Sequence, residues 1–294
     1  SLGSMFFILI QYLVKAGWGV TMRRIPEHLM SNIGLMGLFF IPIVFGMESL
    51  FKWAVPGAAL HDHLFHIKAP YLNTNFFLIR AAFFWGFWIL FSYIFFKKSI
   101  QQDETGDKNN TISLQKLSAI GMLLFAITVS FSSIDWIMSL TPHWFSTMFG
   151  VYIFAGCAVS ALASITLIAM AIRRSGFLRN TINTEHFHDT GKLMYGFMVF
   201  WAYVAFSQYF LIWYANMPEE THWFKEHFAG SWNSVAAFIA IGHFGIPFIL
   251  FMSRNIKRKL KAVVACGNGT SSIFSPEILE KIGIEVIKIH CDLD

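Results

Sequence analysis

Seven separate runs of this chain are each apolar enough and long enough to cross a lipid bilayer, and that property leaves little choice of fold. A crossing helix needs about 20 residues at a rise of about 1.5 Å each. The runs lie near residues 2–22, 32–51, 74–96, 117–140, 147–172, 191–216 and 231–253. In hydrocarbon every backbone amide must be satisfied within its own segment, so such runs become helices. The predicted fold is an all-α integral membrane helix bundle of about seven transmembrane helices, occupying residues 1–261. With 55% hydrophobic and only 13% charged residues, the chain carries too little charge for a soluble domain of this length. The first run begins at Ser1, which predicts a chain that starts inside a helix. No basic segment precedes it and no cleavage site follows it, so it does not read as a signal peptide.

Basic residues orient the bundle. One set of loops receives fifteen of them, among them Arg23, Arg24, Lys97, Lys98, Arg173, Arg174 and Lys257, while the opposite set receives three, Lys52, Lys68 and Lys225. The richer face is predicted to be cytoplasmic, which puts the C-terminus inside. The net charge of +5 then follows from topology and anionic lipid and requires no nucleic acid. The polar stretch 97–116 is predicted to be a mobile cytoplasmic loop. Trp53, Trp136, Trp144, Trp213 and Trp223 fall at run ends, where an interfacial aromatic belt is expected.

From Ala262 the chemistry changes. Residues 262–266 read as a strand, 267–270 as a turn, 275–283 as a helix with Pro276 in its first turn, and 284–289 as a second strand. Residues 262–294 are thus predicted to be a short βαβ-like soluble tail, too small to bury a core alone.

Ionisable residues inside spans cost roughly 2.5–3.5 kcal/mol each unless partnered, so each is a functional candidate. Arg80 lies within Asn75-Phe76-Phe77-Leu78-Ile79-Arg80-Ala81-Ala82-Phe83, and Glu48 is its predicted partner at matching depth. With Asp135, His143, Tyr214, Glu219 and Glu220 these form an outer group. An inner group holds Gln11, Lys15, His186, His188, Asp189 and Lys192, and Gln208 and His243 lie between the two. Together they outline a proton path or a polar pocket; the plainer reading is a set of separate interhelical hydrogen bonds. His61, His63 and His66 lack the spacing of a zinc site, and His243 is the one histidine deep in a span, so no metal or haem is expected. Cys157, Cys266 and Cys291 show no paired spacing.

Several long motifs resemble a known family. Ala16-Gly17-Trp18-Gly19-Val20, Arg23-Arg24-Ile25-Pro26-Glu27, Phe77-Leu78-Ile79-Arg80, Asp135-Trp136-Ile137-Met138-Ser139-Leu140-Thr141-Pro142-His143 and Ser207-Gln208-Tyr209 through Pro218-Glu219 are similar to the second NrfD-like, polysulfide-reductase-type membrane subunit of bacterial alternative complex III. That resemblance implies a ten-helix fold, of which this chain holds part, in the bacterial inner membrane. It also implies iron–sulfur, c-type haem and sister NrfD-like partner subunits in a quinol:cytochrome c oxidoreductase. A quinone or quinol is the implied ligand, with no redox metal in this chain. The matching polar residues are Arg80, Asp135, His143, Asp189, Gln208, Tyr214 and Glu219. The tail departs from the family and is similar to a phosphoglucomutase/phosphomannomutase segment without its phosphoserine or metal loops. A catalytically silent scaffold, or a stand-alone transporter, are the alternative readings. No inverted repeat supports the transporter.

Overall fold

A computed structural model describes residues 1–179, 181–252, 261–265 and 285–289. The chain divides into two units, Ser1–Phe248 and Ile249–Asp294. Six helical segments are long and apolar enough to cross a membrane: 24–45, 74–105, 108–140, 149–174, 184–215 and 232–252. A shorter apolar helix, α1 (Leu2–Leu13), precedes them. The predicted first span, 2–22, is therefore helical only to Leu13. Lys15 adopts a left-handed φ of 52°, and the chain continues through a turn to a short 3₁₀ segment at Val20–Met22. The second run is also broken, into α2 (Arg24–Ser31), α3 (Ile33–Leu38), α4 (Ile41–Phe45) and α5 (Met47–Leu50). Two more short helices, α6 (Ala58–His61) and α7 (His63–Lys68), fill the following connection.

The long helices are punctuated by side chains that the sequence places at their ends. Asn73 caps α8 (Thr74–Thr105) by accepting from the Phe76 amide at 2.9 Å, and Gly106 ends it at a φ of 68°. Asp107 immediately caps α9 (Lys108–Trp136), accepting from the Asn109 amide at 2.9 Å. The stretch 97–116 is thus two helix ends and a two-residue turn, correcting the predicted mobile loop. At 32 residues α8 is about 48 Å long, well beyond a hydrocarbon core of about 30 Å, so its polar end continues outside the lipid. After α10 (Phe149–Arg174), α11 (Thr184–Ala215) starts on an Asn183–His186 capping box and ends at Asn216, φ 50°. Next come α12 (Pro218–His227), α13 (Trp232–Ile239), a π-helical stretch at Ala240–Gly245, and α14 (Ile246–Met252).

The core is hydrophobic, but the packing differs from a soluble bundle in its small and polar inward residues and its apolar outer face. The inward stripe of α9 reads Leu114, Ser118, Gly121, Phe125, Thr128, Ser132 and Asp135, small and polar at helical spacing. Phe45, Phe39 and Leu123 face outward, 86%, 68% and 65% exposed, as lipid contact requires. Inside, Trp88 donates to Thr128 Oγ1 at 3.0 Å, and Trp85 stacks on Trp136 with centroids 5.7 Å apart. Trp53 and Trp144 are likewise buried, so the predicted interfacial belt is corrected for these two. Trp213 remains exposed.

Helices α1, α9, α10 and α11 pack in succession, α1 lying against both α9 and α10. The close approach of α1 and α10 depends on Gly3, where an added Cβ would sit 2.0 Å from the Cys157 carbonyl oxygen. Gly3→Val is expected to cost about 1–3 kcal/mol, since the obstacle is backbone and cannot swing aside. A lowered Tm in detergent checks this, and an unchanged Tm would show that the contact is looser than described.

In the second unit, β1 (Lys261–Ala265) and β2 (Glu285–Ile289) pair in parallel, Lys261 opposite Glu285 and Ala265 opposite Ile289. The expected turn at 267–270 and helix at 275–283, with Cys266, Cys291 and the basic residues 254–259, lie outside the described residues.

Candidate functional site

The antiparallel hairpin of α8 and α9 brings the start of one helix beside the end of the other. Arg80, six residues into α8, there meets Asp135, one residue from the end of α9. The contact is bidentate: Nε to Oδ2 at 2.6 Å and Nη2 to Oδ1 at 3.1 Å. Nη1 donates to the Tyr71 carbonyl at 2.9 Å, and the guanidinium lies over the rings of Tyr71, 3.8 Å, and Phe76, 4.4 Å. Ser139 Oγ donates to the Asp135 carbonyl. Asp135 is wholly buried and Arg80 nearly so, an arrangement that offsets the desolvation of both charges. The predicted Glu48 partner is therefore corrected to Asp135. Glu48 is exposed on α5. Depth counted at a constant rise failed because the second span is broken into short helices.

On the far side of Tyr71 and Ser139 opens a cavity of 530 Å³, lined also by Lys68, Pro142, His143 and Glu219. His143 Nε2 meets Asp62 Oδ2 at 2.7 Å, tying the 141–146 turn to the cap of α7. Lys68 Nζ donates to the Pro142 carbonyl at 2.5 Å. Desolvation works to raise the Asp62 carboxyl, yet the Leu64 amide and His143 outweigh it and hold Asp62 below its ordinary value. The contribution of this tie is present above the ordinary carboxylate range and is lost only as pH falls through the lowered value. Burial, then the nearby Asp135 carboxylate, push the Tyr71 phenol up, so it stays protonated.

Of the predicted outer residues, His143 and Glu219 line this vestibule, and the Arg80–Asp135 pair touches its Tyr71 and Ser139 wall without lining it. Tyr214 does neither: it is 77% exposed, with its ring against Phe210. Glu219 and Glu220 occupy the first turn of α12, where the helix dipole favours carboxylates. Asp62 was missed by sequence reasoning, and Tyr71, part of a motif segment, was not among the candidate site residues. Asp62 two residues before an apolar turn was the available cap signal.

At the other end of α8, Glu27 is 1% exposed and holds α2 to α8. It accepts from Arg24 Nη1 at 2.7 Å and Ser99 Oγ at 2.6 Å, with Arg23 Nε at 3.3 Å. Arg24 also reaches the Ser99 carbonyl, 3.2 Å, and Asp103. Nineteen residues separate Arg80 from Ser99, about 29 Å along the helix, so the two ionic clusters bracket one hydrocarbon thickness. Glu27 was missed although Arg23-Arg24-x-x-Glu27 has the i,i+3 and i,i+4 spacing of helical pairs. The predicted inner group has other roles. His186 belongs to the α11 cap, and Asp189 pairs with Lys192 at 3.3 Å on the surface. Gln11 and Lys15 line a separate 170 Å³ cavity with Arg23. Among the described residues, no three His, Cys, Asp or Glu gather as a metal site, and the side chain of His61 lies outside the described residues.

A third region is aromatic. Residues of α10, α11, α12, α13 and the π-helical stretch border an open cavity of 690 Å³, walled by Tyr152, Trp201, Tyr209, Trp223, His227 and Trp232 among others. Trp223 stacks on Trp144 at 4.7 Å and on His227 at 3.9 Å. His227 Nδ1 lies 2.7 Å from the Trp223 carbonyl. The predicted central residues flank this region differently. Gln208 is buried with Oε1 unpartnered among the described residues. His243 sits in the π-helical stretch 4.3 Å from the Trp201 ring, its Nε2 also unpartnered among the described residues. Neither lines the cavity. His227 was not singled out in the sequence, since a histidine at the end of a short polar helix carries no pattern of its own.

No family model matches this chain. Two curated relatives share a short stretch with it: a phosphomannomutase/phosphoglucomutase of Pseudomonas putida, 44% identical over 39 residues, and one of Pseudomonas syringae pv. tomato, 46% identical over 37 residues. Each match covers 13% of this chain and 8% of the mutase. The chain is similar to these enzymes over that stretch alone, too little to carry a mutase domain.

Proposed function

We propose that this chain is a membrane subunit of a respiratory quinol:cytochrome c oxidoreductase, of the NrfD-like type that its motifs resemble, and that its aromatic cavity is a quinone-type pocket. The observation that carries this reading is the 690 Å³ cavity, whose size and aromatic wall suit a flat ring with an apolar tail. The ring would lie against indole and phenol faces. Iron–sulfur, c-type haem and sister NrfD-like subunits would supply the redox centres. The host would be a bacterial inner membrane, with the C-terminus on the cytoplasmic side.

Two further readings each have an observation in their favour. A proton path through the outer end is supported by the vestibule that reaches Tyr71 and Ser139, one contact from Asp135. A silent scaffold is supported by the completeness of the Arg80–Asp135 contact, which is what a staple needs.

Ala236 lines the aromatic cavity, and Ala236→Trp would fill it. In the assembled complex this variant is expected to lose quinol:cytochrome c turnover by about tenfold or more, equivalent to about 1.4 kcal/mol. Full turnover in a correctly assembled variant would defeat the pocket and favour the scaffold. Turnover with and without the whole subunit separates either from a chain that acts alone.

A further inference from the structure

We infer that His227 makes the aromatic cavity selective for a ring hydroxyl over a ring carbonyl, so that it holds a hydroquinone in preference to the quinone. This rests on the cavity being the quinone-type pocket proposed above, and adds the residue that sets which redox form it takes.

The argument starts from the imidazole tautomer. A backbone carbonyl can only accept, so the 2.7 Å contact between Nδ1 and the Trp223 carbonyl requires the hydrogen on Nδ1. In the neutral ring Nε2 is then an acceptor, and among the described residues no hydrogen bond is made to it. Stacking on the Trp223 indole, 3.9 Å between centroids and 23° between planes, holds the ring flat and fixes its orientation.

The rest of the wall makes that nitrogen decisive. The polar side chains lining the cavity are Tyr152, Tyr203 and Tyr209, the indoles of Trp201, Trp223 and Trp232, and His227. An indole N–H donates to a hydroxyl oxygen or a carbonyl oxygen alike. A phenol both donates and accepts, so it suits either form. No carboxylate, amide or aliphatic hydroxyl is among the described lining residues. Nε2 alone accepts without donating. A hydroquinone O–H satisfies it, whereas a quinone carbonyl would set lone pair against lone pair.

The test uses the full chain in lipid nanodiscs, titrated calorimetrically under anaerobic conditions with decylubiquinol and with decylubiquinone. The wild type is expected to bind the quinol about tenfold more tightly, the scale of one net hydrogen bond. His227→Asn keeps a donor for the Trp223 carbonyl but has no nitrogen at the Nε2 position, and is expected to bind both forms alike. His227→Phe keeps the stack and should also lose the preference, so folding failure of one variant leaves the other. Equal wild-type affinities, or a preference that survives in either variant, would overturn the inference while leaving the pocket standing. If neither form binds, or if Ala236→Trp leaves binding unchanged, the pocket itself fails and the role of His227 with it.

Discussion

Arg80→Ala is expected to destabilise the protein by about 3–5 kcal/mol, because it leaves the wholly buried Asp135 carboxylate without its cation. The lost bond to the Tyr71 carbonyl and the lost stacking on Tyr71 and Phe76 act in the same direction. The double change Arg80→Leu with Asp135→Leu removes both charges and fills the space, and should recover most of the loss. Glu48→Ala, at an exposed position, should leave stability unchanged. Melting in detergent checks all three. Measured beside the single changes Arg80→Leu and Asp135→Leu, a double variant as unstable as their sum would mean that the two residues do not act as a pair. Asp135→Asn asks about function in the same place, since it preserves the shape and removes the titratable group. If the vestibule feeds a proton path, an assembled Asp135→Asn complex loses turnover or proton yield. If the pair is a staple, both survive.

At the opposite end, Glu27→Ala should cost less, about 2–3 kcal/mol. Glu27 is as buried as Asp135, but its partners differ: the side chains of Arg23 and Arg24 are 16% and 34% exposed and can turn to water or to Asp103. What is lost is the bond from Ser99 and the tie between α2 and α8. Glu27→Gln retains an acceptor for Ser99 and should lie between wild type and Glu27→Ala. The measured order Arg80→Ala, Glu27→Ala, Glu27→Gln is the check. Glu27→Ala equal to wild type would remove the inner cluster from any account of stability.

The motifs that resemble an NrfD-like subunit mix two kinds of position. The motif residues that the structure brings into contact are Arg80 with Asp135, beside the vestibule that His143 lines, and Arg23 and Arg24 with Glu27 at the other end of α8. Asp189 and Tyr214, drawn from the same resemblance, lie on the surface. Motif membership therefore did not separate a buried polar residue from an exposed one.

Apolar run length alone determined the membrane class and the approximate placing of the long helices; the caps at Asn73, Asp107 and Asn183 follow from short polar side chains at the helix starts but were not read from the sequence. These are local properties: whether a segment can satisfy its own amides in lipid, and where a short polar side chain can take the first free N–H. The tertiary structure decided who meets whom. Arg80 chose Asp135 over Glu48 because rotation about the helix axis and the breaks in the second span govern contact, and neither is encoded in depth along a run. The polar stretch 97–116 became helix because two long helices extend past their apolar runs, α8 ending at Gly106 and α9 starting at once on the Asp107 cap. The aromatic cavity arises from residues of separate helices, so no spacing within any one segment could have announced it, whereas the contact that sets the His227 tautomer lies within α12, from Trp223 to His227.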